Sequence, residues 1–133
     1  MYFTENMTGQ EQVSTIYEGG AAVGIRIRVK NPTLGMSLSR LEDFSVQVDR
    51  TLYPADQITF VLRGIHYDFQ TMQTVATVRW EFGEWAELLV PRPGGLGVVG
   101  NRKLEVSIGF RMGFENIQWR KKSFLVSAIG ETL

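Results

Sequence analysis

Three tryptophans, three closely spaced glutamates and one histidine are the residues of this chain whose types and spacing could do chemistry. Glu81, Glu84 and Glu87 could supply the paired carboxylates that glycoside hydrolysis uses. The alternation around them places Glu81 and Glu87 on solvent-side positions and Glu84 in a turn. Solvated acids, or acids facing a partner's cations, are the simpler reading. His66 has Asp68 two residues on, which on a strand is the same face. Such a pair could ligate a metal or act as an acid–base dyad. With one histidine and no cysteine in the chain, the other ligands would be carboxylates, a poor transition-metal set, and a half-exposed strand histidine is simpler. Pro93-Gly94-Gly95-Leu96-Gly97 is glycine-rich but lacks the Gly-Lys-Ser/Thr of a phosphate loop and no helix follows it, so it reads as a turn. The serines and lysines show neither a nucleophile elbow nor a triad order. Trp80, Trp85 and Trp119 fit core packing, interface anchoring and sugar stacking alike.

The elements that must position these residues are strands. From Val78 to Leu96 the chain reads VRWEFGEWAELLVPRPGGL. Trp80 and Phe82 alternate with Arg79 and Glu81, and Ala86, Leu88 and Val90 alternate with Glu87, the period of two pleated segments joined at a corner. Upstream, Val13, Thr15 and Tyr17 share one face of a run that ends at Gly19-Gly20, a hairpin signal because both glycines accept positive φ. In the next segment Val23, Ile25, Ile27 and Val29 point to a core, and Gly24, Arg26, Arg28 and Lys30 point to solvent or an acidic partner. Asn31-Pro32-Thr33 and Gly35 break the pattern. Phe44, Val46 and Val48 alternate next, then Asp49-Arg50 and Tyr53–Asp56 turn the chain. Ile58, Phe60 and Leu62 resume the alternation until Gly64, and Gln70–Gln73 is the one plausible helical turn. Leu104, Val106, Ile108, Phe110 and Met112 define the longest strand. Gly113–Gln118 connects it to a last strand from about Trp119 to Ile129, which opens on Arg120, Lys121 and Lys122. The fold expected is all-β: a single-domain antiparallel β-sandwich of about eight to nine strands, spanning residues 1–133.

Composition narrows the function. The 133 residues suffice for one core without staples. Fourteen Lys+Arg balance 14 Asp+Glu, so the basic excess of a nucleic-acid binder is missing. With no cysteine there is neither a disulfide framework nor thiolate chemistry. Residues 1–20 are polar, without the apolar region of a signal peptide, and no apolar run approaches a membrane span. Asn6-Met7-Thr8 matches a glycosylation sequon, a chance match in a chain without a secretory signal. A cytoplasmic protein is expected, with no nucleic acid and no membrane among its partners.

The segments LSRLEDFSVQVDR (38–50), ITFVLRG (58–64), RWEFGE (79–84) and VPRPGGL (90–96), followed by LEVSIGFRM (104–112), resemble in order the small, β, subunit of bacterial C-glycoside deglycosidases. The resemblance covers about residues 20–112. It implies a small β-sandwich bound to a larger α subunit, a TIM barrel of the sugar-phosphate isomerase/epimerase type that holds a divalent metal, manganese being the expected ion. The pair would assemble into a hetero-oligomer and cleave the carbon–carbon bond of 3-oxo-C-glucosides with flavonoid or anthraquinone aglycones. The 3-keto group acidifies the neighbouring C2 proton, and loss of the aglycone by elimination makes the enzyme a lyase. Such chemistry needs a tuned base and an electrophile for the enolate, and this chain offers no adequate set of either. No catalytic, metal-binding or cofactor-binding residue is therefore expected here. The dense aromatic cluster beside a rigid turn makes Trp80, Phe82, Trp85 and the Arg92-Pro93-Gly94-Gly95 turn the expected α-subunit contact. A free-standing carbohydrate-binding module is the alternative, and it would use exposed tryptophans.

Overall fold

Alternating apolar positions decide which faces of these strands meet. The computed structural model describes residues 7–113 and 116–127. The sequon's Asn6, the rest of the N-terminal arm up to it and the end of the last strand at Ile129 lie outside these residues. Among the described residues eleven strands form, antiparallel in every pairing: β1 (Val13–Glu18), β2 (Ala21–Lys30), β3 (Met36–Ser37), β4 (Leu41–Val48), β5 (Thr51–Pro54), β6 (Thr59–Leu62), β7 (Ile65–Tyr67), β8 (Arg79–Trp80), β9 (Trp85–Pro91), β10 (Asn101–Arg111) and β11 (Ile117–Ser127). A short helix, α1 (Phe69–Met72), lies between β7 and β8. The strands order as β1-β2-β9-β6-β7 in one sheet and β11-β10-β4-β5 in another, with β3-β8 as a two-stranded ladder. The class matches the expectation. The strand count exceeds it because ladders such as β3-β8, two residues to a strand, are too short to show alternation.

Between the two large sheets lies one core. Ile25, Ile27 and Val29 of β2, Leu88 and Val90 of β9, and Phe60 of β6 join Phe44, Val46 and Val48 of β4 with Leu104, Val106, Ile108 and Phe110 of β10 in a single buried cluster. Burying a side chain of this kind contributes about 1.5–3 kcal/mol. Phe44 meets Phe60 across the sheets at 6.0 Å, and Trp80 reaches Phe60 edge-on at 5.3 Å and stacks on Phe110 at 5.9 Å. The alternations read for β4, β9, β10 and Ile25–Val29 of β2 are thus the alternations observed. At the start of β2 the faces differ: Gly24, expected to face solvent, is buried and Val23, expected in the core, is half-buried, because Val23 is the unpaired residue of a bulge.

Two local departures matter. At the β1–β2 hairpin Gly19 and Gly20 take φ of 58° and 84°, the twist-matched turn their types predicted. The ladder there slips between Ile16 and Tyr17. The extra residue is Val23 of β2, and Val13 and Thr15 are buried while Tyr17, expected to share their face, is 50% exposed beside the likewise exposed Glu18 at the hairpin end. Trp80 and Phe82 do not share a strand either. β8 ends at Trp80, Gly83 turns at φ 79°, and the Glu84 amide donates to the Glu81 carbonyl at 3.0 Å. The reversal leaves Trp80 fully buried and Phe82 57% exposed.

That contrast is testable by urea denaturation. Trp80→Phe shrinks the central aromatic and removes one of the two hydrogen bonds to the Glu84 carbonyl, leaving the Asn31 amide, and is expected to cost about 1–3 kcal/mol. Phe82→Ser, at the exposed turn, is expected to cost about 0.5 kcal/mol or less.

Candidate functional site

One buried side chain organises the corner. Asn31 closes β2 with zero exposure, and all its polar atoms are engaged. Its amide nitrogen donates to the Trp80 carbonyl at 2.9 Å and the Leu34 carbonyl at 3.4 Å. Its side-chain oxygen accepts from the Thr33 amide at 2.8 Å and the Thr33 hydroxyl at 3.1 Å. The Asn31 backbone N–H donates to the Glu84 carbonyl at 3.1 Å, and its carbonyl accepts from Gly83 at 2.9 Å. The Trp80 indole N–H donates to the same Glu84 carbonyl at 2.8 Å. The loop at 31–34 and the turn at 81–84 are therefore one unit, fixed to the core by Trp80.

The acids of the corner are engaged by the chain's own arginines. Glu81 pairs with Arg79 at 3.3 Å, Glu84 with Arg63, and Glu87 with Arg26 at 3.5 Å. A Glu84 carboxylate oxygen also accepts from the Glu81 amide at 3.0 Å. Burial pushes the Glu84 carboxyl up, but the Glu81 backbone hydrogen bond and the Arg63 guanidinium outweigh it and hold the group below its ordinary 4.5. None of the three is left as a free acid opposite another, as glycosidase chemistry would need. His66 stands exposed on β7. Its neighbour Asp68 caps α1 by accepting from the Thr71 amide at 2.7 Å, which holds the Asp68 carboxyl low. The dyad is therefore not assembled. Among the described residues, no group of three or more His, Cys, Asp or Glu could hold a metal ion.

The expected contact residues separate. Trp80 has no surface to offer a partner; it holds the corner instead. Phe82 and Trp85 lie at the surface of the corner. The Arg92–Gly95 turn sits at the far end of β9, about 20 Å or more away at strand spacing. There Arg92 donates to the Gly95 carbonyl at 2.9 Å and the Tyr53 hydroxyl at 3.0 Å, and Gly94 donates to Ala22 at 3.0 Å. Pro93 and Gly94 are exposed and Gly95 is buried.

The structure adds residues to the corner that alternation alone did not mark. Phe82, Leu34 and Met112 border an apolar groove of about 340 Å³ whose other wall is Gln118 and Arg120 of β11. Leu34 is 72% exposed, and the signal for it was an apolar residue placed inside a breaker. Further along the same strand, Lys122 and Phe124 face Lys30 and Trp85 across a second cleft of about 480 Å³. Trp85 is half-buried beneath two cations, with Arg28 at 4.6 Å and Lys30 at 5.1 Å from its ring. A seam along the inner side of β11 thus joins an apolar groove to a cationic, aromatic cleft.

The corner thus combines three carboxylates paired with arginines and an exposed aromatic and cationic seam. The family model for the C-glycoside deglycosidase beta subunit matches residues 3–114 of the 133, and the chain belongs to that family. It is accordingly a subunit of a deglycosidase and implies an oligomeric partner. No curated protein matches the chain. No helix among the described residues is long and apolar enough to cross a membrane.

The Glu84 pairing predicts a pH dependence. A carboxyl whose pKa is depressed on folding stabilises the fold above its unfolded value and loses that contribution as pH falls through the folded pKa. Wild type should exceed Glu84→Gln in thermal stability at pH 7, and the gap should begin to close near the ordinary 4.5 and vanish below it. Melting curves of both proteins between pH 3 and 7, with ~0.5-unit steps, measure this.

Proposed function

We propose that this chain is the supporting, non-catalytic subunit of a C–C bond-cleaving lyase. Its partner in this reading is a larger TIM-barrel α subunit of the isomerase/epimerase type, which carries the divalent metal, manganese being the expected ion. The hetero-oligomer acts in the cytoplasm on 3-oxo-C-glucosides of flavonoid or anthraquinone type. The C2 proton leaves, the bond from C1 to the aglycone carbon breaks, a C1=C2 double bond forms in conjugation with the ketone, and the aglycone carbon takes up a proton. That step needs a base poised near neutrality and stabilisation of the enolate charge. The observation that supports assigning both to the partner is the corner itself. Its carboxylates are bound to Arg26, Arg63 and Arg79, while its apolar residues Leu34 and Phe82 face outward.

The contact with the α subunit runs, in this reading, along the β11 seam through Phe82, Leu34 and Trp85. Exposed aromatics beside fixed backbone are favoured interface anchors. The Phe82→Ser, Trp85→Ser double variant should stay folded and lose affinity for the α subunit by about a hundredfold, as two anchors of about 1–2 kcal/mol each imply. Copurification with the α subunit and titration calorimetry measure it. Wild-type affinity in the variant would place the contact elsewhere.

A second reading, a free-standing carbohydrate-binding module, draws on Trp119. Its six-membered ring lies across Gly109, with three contiguous ring atoms 2.9, 2.9 and 3.1 Å from where a β-carbon would sit. The ring is 47% exposed on the outer face of the β10–β11 ladder, next to Lys121 and Ser107. If that reading holds, glycosides should quench Trp119 fluorescence in the isolated wild-type chain and lose this effect in Gly109→Val, whose side chain displaces the ring. A response absent from the isolated wild type removes it.

A further inference from the structure

The two large sheets end in four edge strands, and three of these are blunted in ways that stop stray pairing. β7 has three residues, β5 has four and closes on Pro54, and the six residues of β1 run beside a bulge. β11 differs: its 11 residues pair with β10 from Ile117 to Ser127 without a slip. Two bonds fix which of its backbone groups point outward. The Met112 amide donates to the Asn116 carbonyl at 2.8 Å, and the Asp49 amide donates to the Lys103 carbonyl at 2.7 Å. Hydrogen-bonded pairs alternate with non-bonded ones along an antiparallel ladder. Continued along the register, both bonds turn the even-numbered residues of β11 toward β10. The N–H and C=O groups of Trp119, Lys121, Ser123 and Leu125 therefore lie on the outer edge. Among the described residues no other strand pairs with this row, and the Arg120 guanidinium approaches it at the Trp119 carbonyl, at 3.4 Å.

Charge decides what this row accepts. Arg120 and Lys121 make no ion pair among the described residues. Arg120 donates to the Gln118 side chain at 2.8 Å. Glu105, diagonal to Lys121 on the same face, accepts from the Ser123 hydroxyl at 3.1 Å. Two copies paired over the full length of β11 would set Lys122 opposite Lys122 and Lys121 diagonal to Lys121, and like charges so placed are destabilising. We propose that β11 receives an extended, acidic segment of the partner subunit as an added strand. Main-chain bonds to the Trp119–Leu125 row supply affinity, and Arg120 and Lys121 select acidic side chains. The identity of the occupant rests on the interface reading above, because the inner side of β11 is the seam assigned to the partner. The open, cationic edge itself does not.

Residue-resolved hydrogen exchange on the ¹⁵N-labelled full chain, alone and with the α subunit, tests this. In the free chain the Trp119, Lys121 and Ser123 amides should exchange fast, and the Gln118 and Arg120 amides slowly. With the α subunit bound, the first three should slow by about tenfold or more, and the other two should not change. Lys121→Pro removes one outer N–H at a position where an edge strand tolerates proline. It should bind the α subunit about tenfold more weakly than Lys121→Ala, which keeps that donor. If the proline variant does not fold, Lys121→Glu takes its place, with binding about tenfold weaker at low salt and a smaller loss at high salt. Outer amides that stay fast in a formed complex overturn the added strand and leave the interface reading standing. Outer amides already slow in the free chain also overturn it: a second copy covers the edge if dilution speeds them, and a segment of this chain if it does not. Failure of the wild type to bind the α subunit overturns the interface reading, and the partner as occupant with it.

Discussion

The buried amide of Asn31 is the constraint on which the corner depends. It ties the end of β2 to the carbonyl of Trp80 and organises Thr33 and Leu34 around its own oxygen. An amide at zero exposure is costly unless each donor and acceptor is met. Here Thr33 and Leu34 of the adjoining loop supply three of the bonds and Trp80, across the corner, the fourth, so loop and corner are fixed together. Trp80 then fixes that arrangement to both sheets through Phe60 and Phe110. The exposed positions of Phe82 and Leu34 follow from this. They are where the chain must go once Asn31 and Trp80 are satisfied.

Much of this was legible in the sequence because period two is a strong signal wherever one face is buried. Ile25–Val29, Phe44–Val48, Ala86–Val90 and Leu104–Phe110 could be assigned inward from alternation, and the Gly19-Gly20 turn from residue type. Signals that depend on register or on distant partners were not legible. The bulge at Val23 of β2 and the exposure of Tyr17 at the hairpin end are marked by nothing in the residue types. Trp80 and Phe82 look alike in alternation, yet the reversal between them depends on bonds to Asn31, some fifty residues upstream. The three glutamates were readable as solvent-side or turn residues. The pairing of Glu84 with Arg63 and of Glu87 with Arg26 was not, because topology brings those partners alongside, whereas Arg79 stands two residues from Glu81 on the same face.

The separation of roles within the Val78–Leu96 stretch has a physical logic. A residue cannot both anchor a core and present surface, and over a reversal of this kind neighbouring aromatics divide the tasks. Trp80 takes the core role because its indole finds a carbonyl there, which a buried donor needs. Phe82 has no polar atom to satisfy and stands exposed at the turn. Trp85 takes an intermediate role, its ring covered by cations rather than by the core.

Those cations bear on why the chain belongs in a complex. Arg26, Arg28 and Lys30 follow one another on the outer face of β2, about 7 Å apart at strand spacing. Glu87 on the neighbouring strand is paired with Arg26 alone, and Arg28 finds Gln12 and the Trp85 ring. In the isolated chain, water and the π-face of Trp85 moderate the mutual repulsion. When a surface covers such a face the water leaves and the repulsion grows, unless the covering surface brings negative charge. The face therefore selects among partners: an apolar or basic surface is penalised on approach, whereas an acidic one relieves strain that the free subunit already carries.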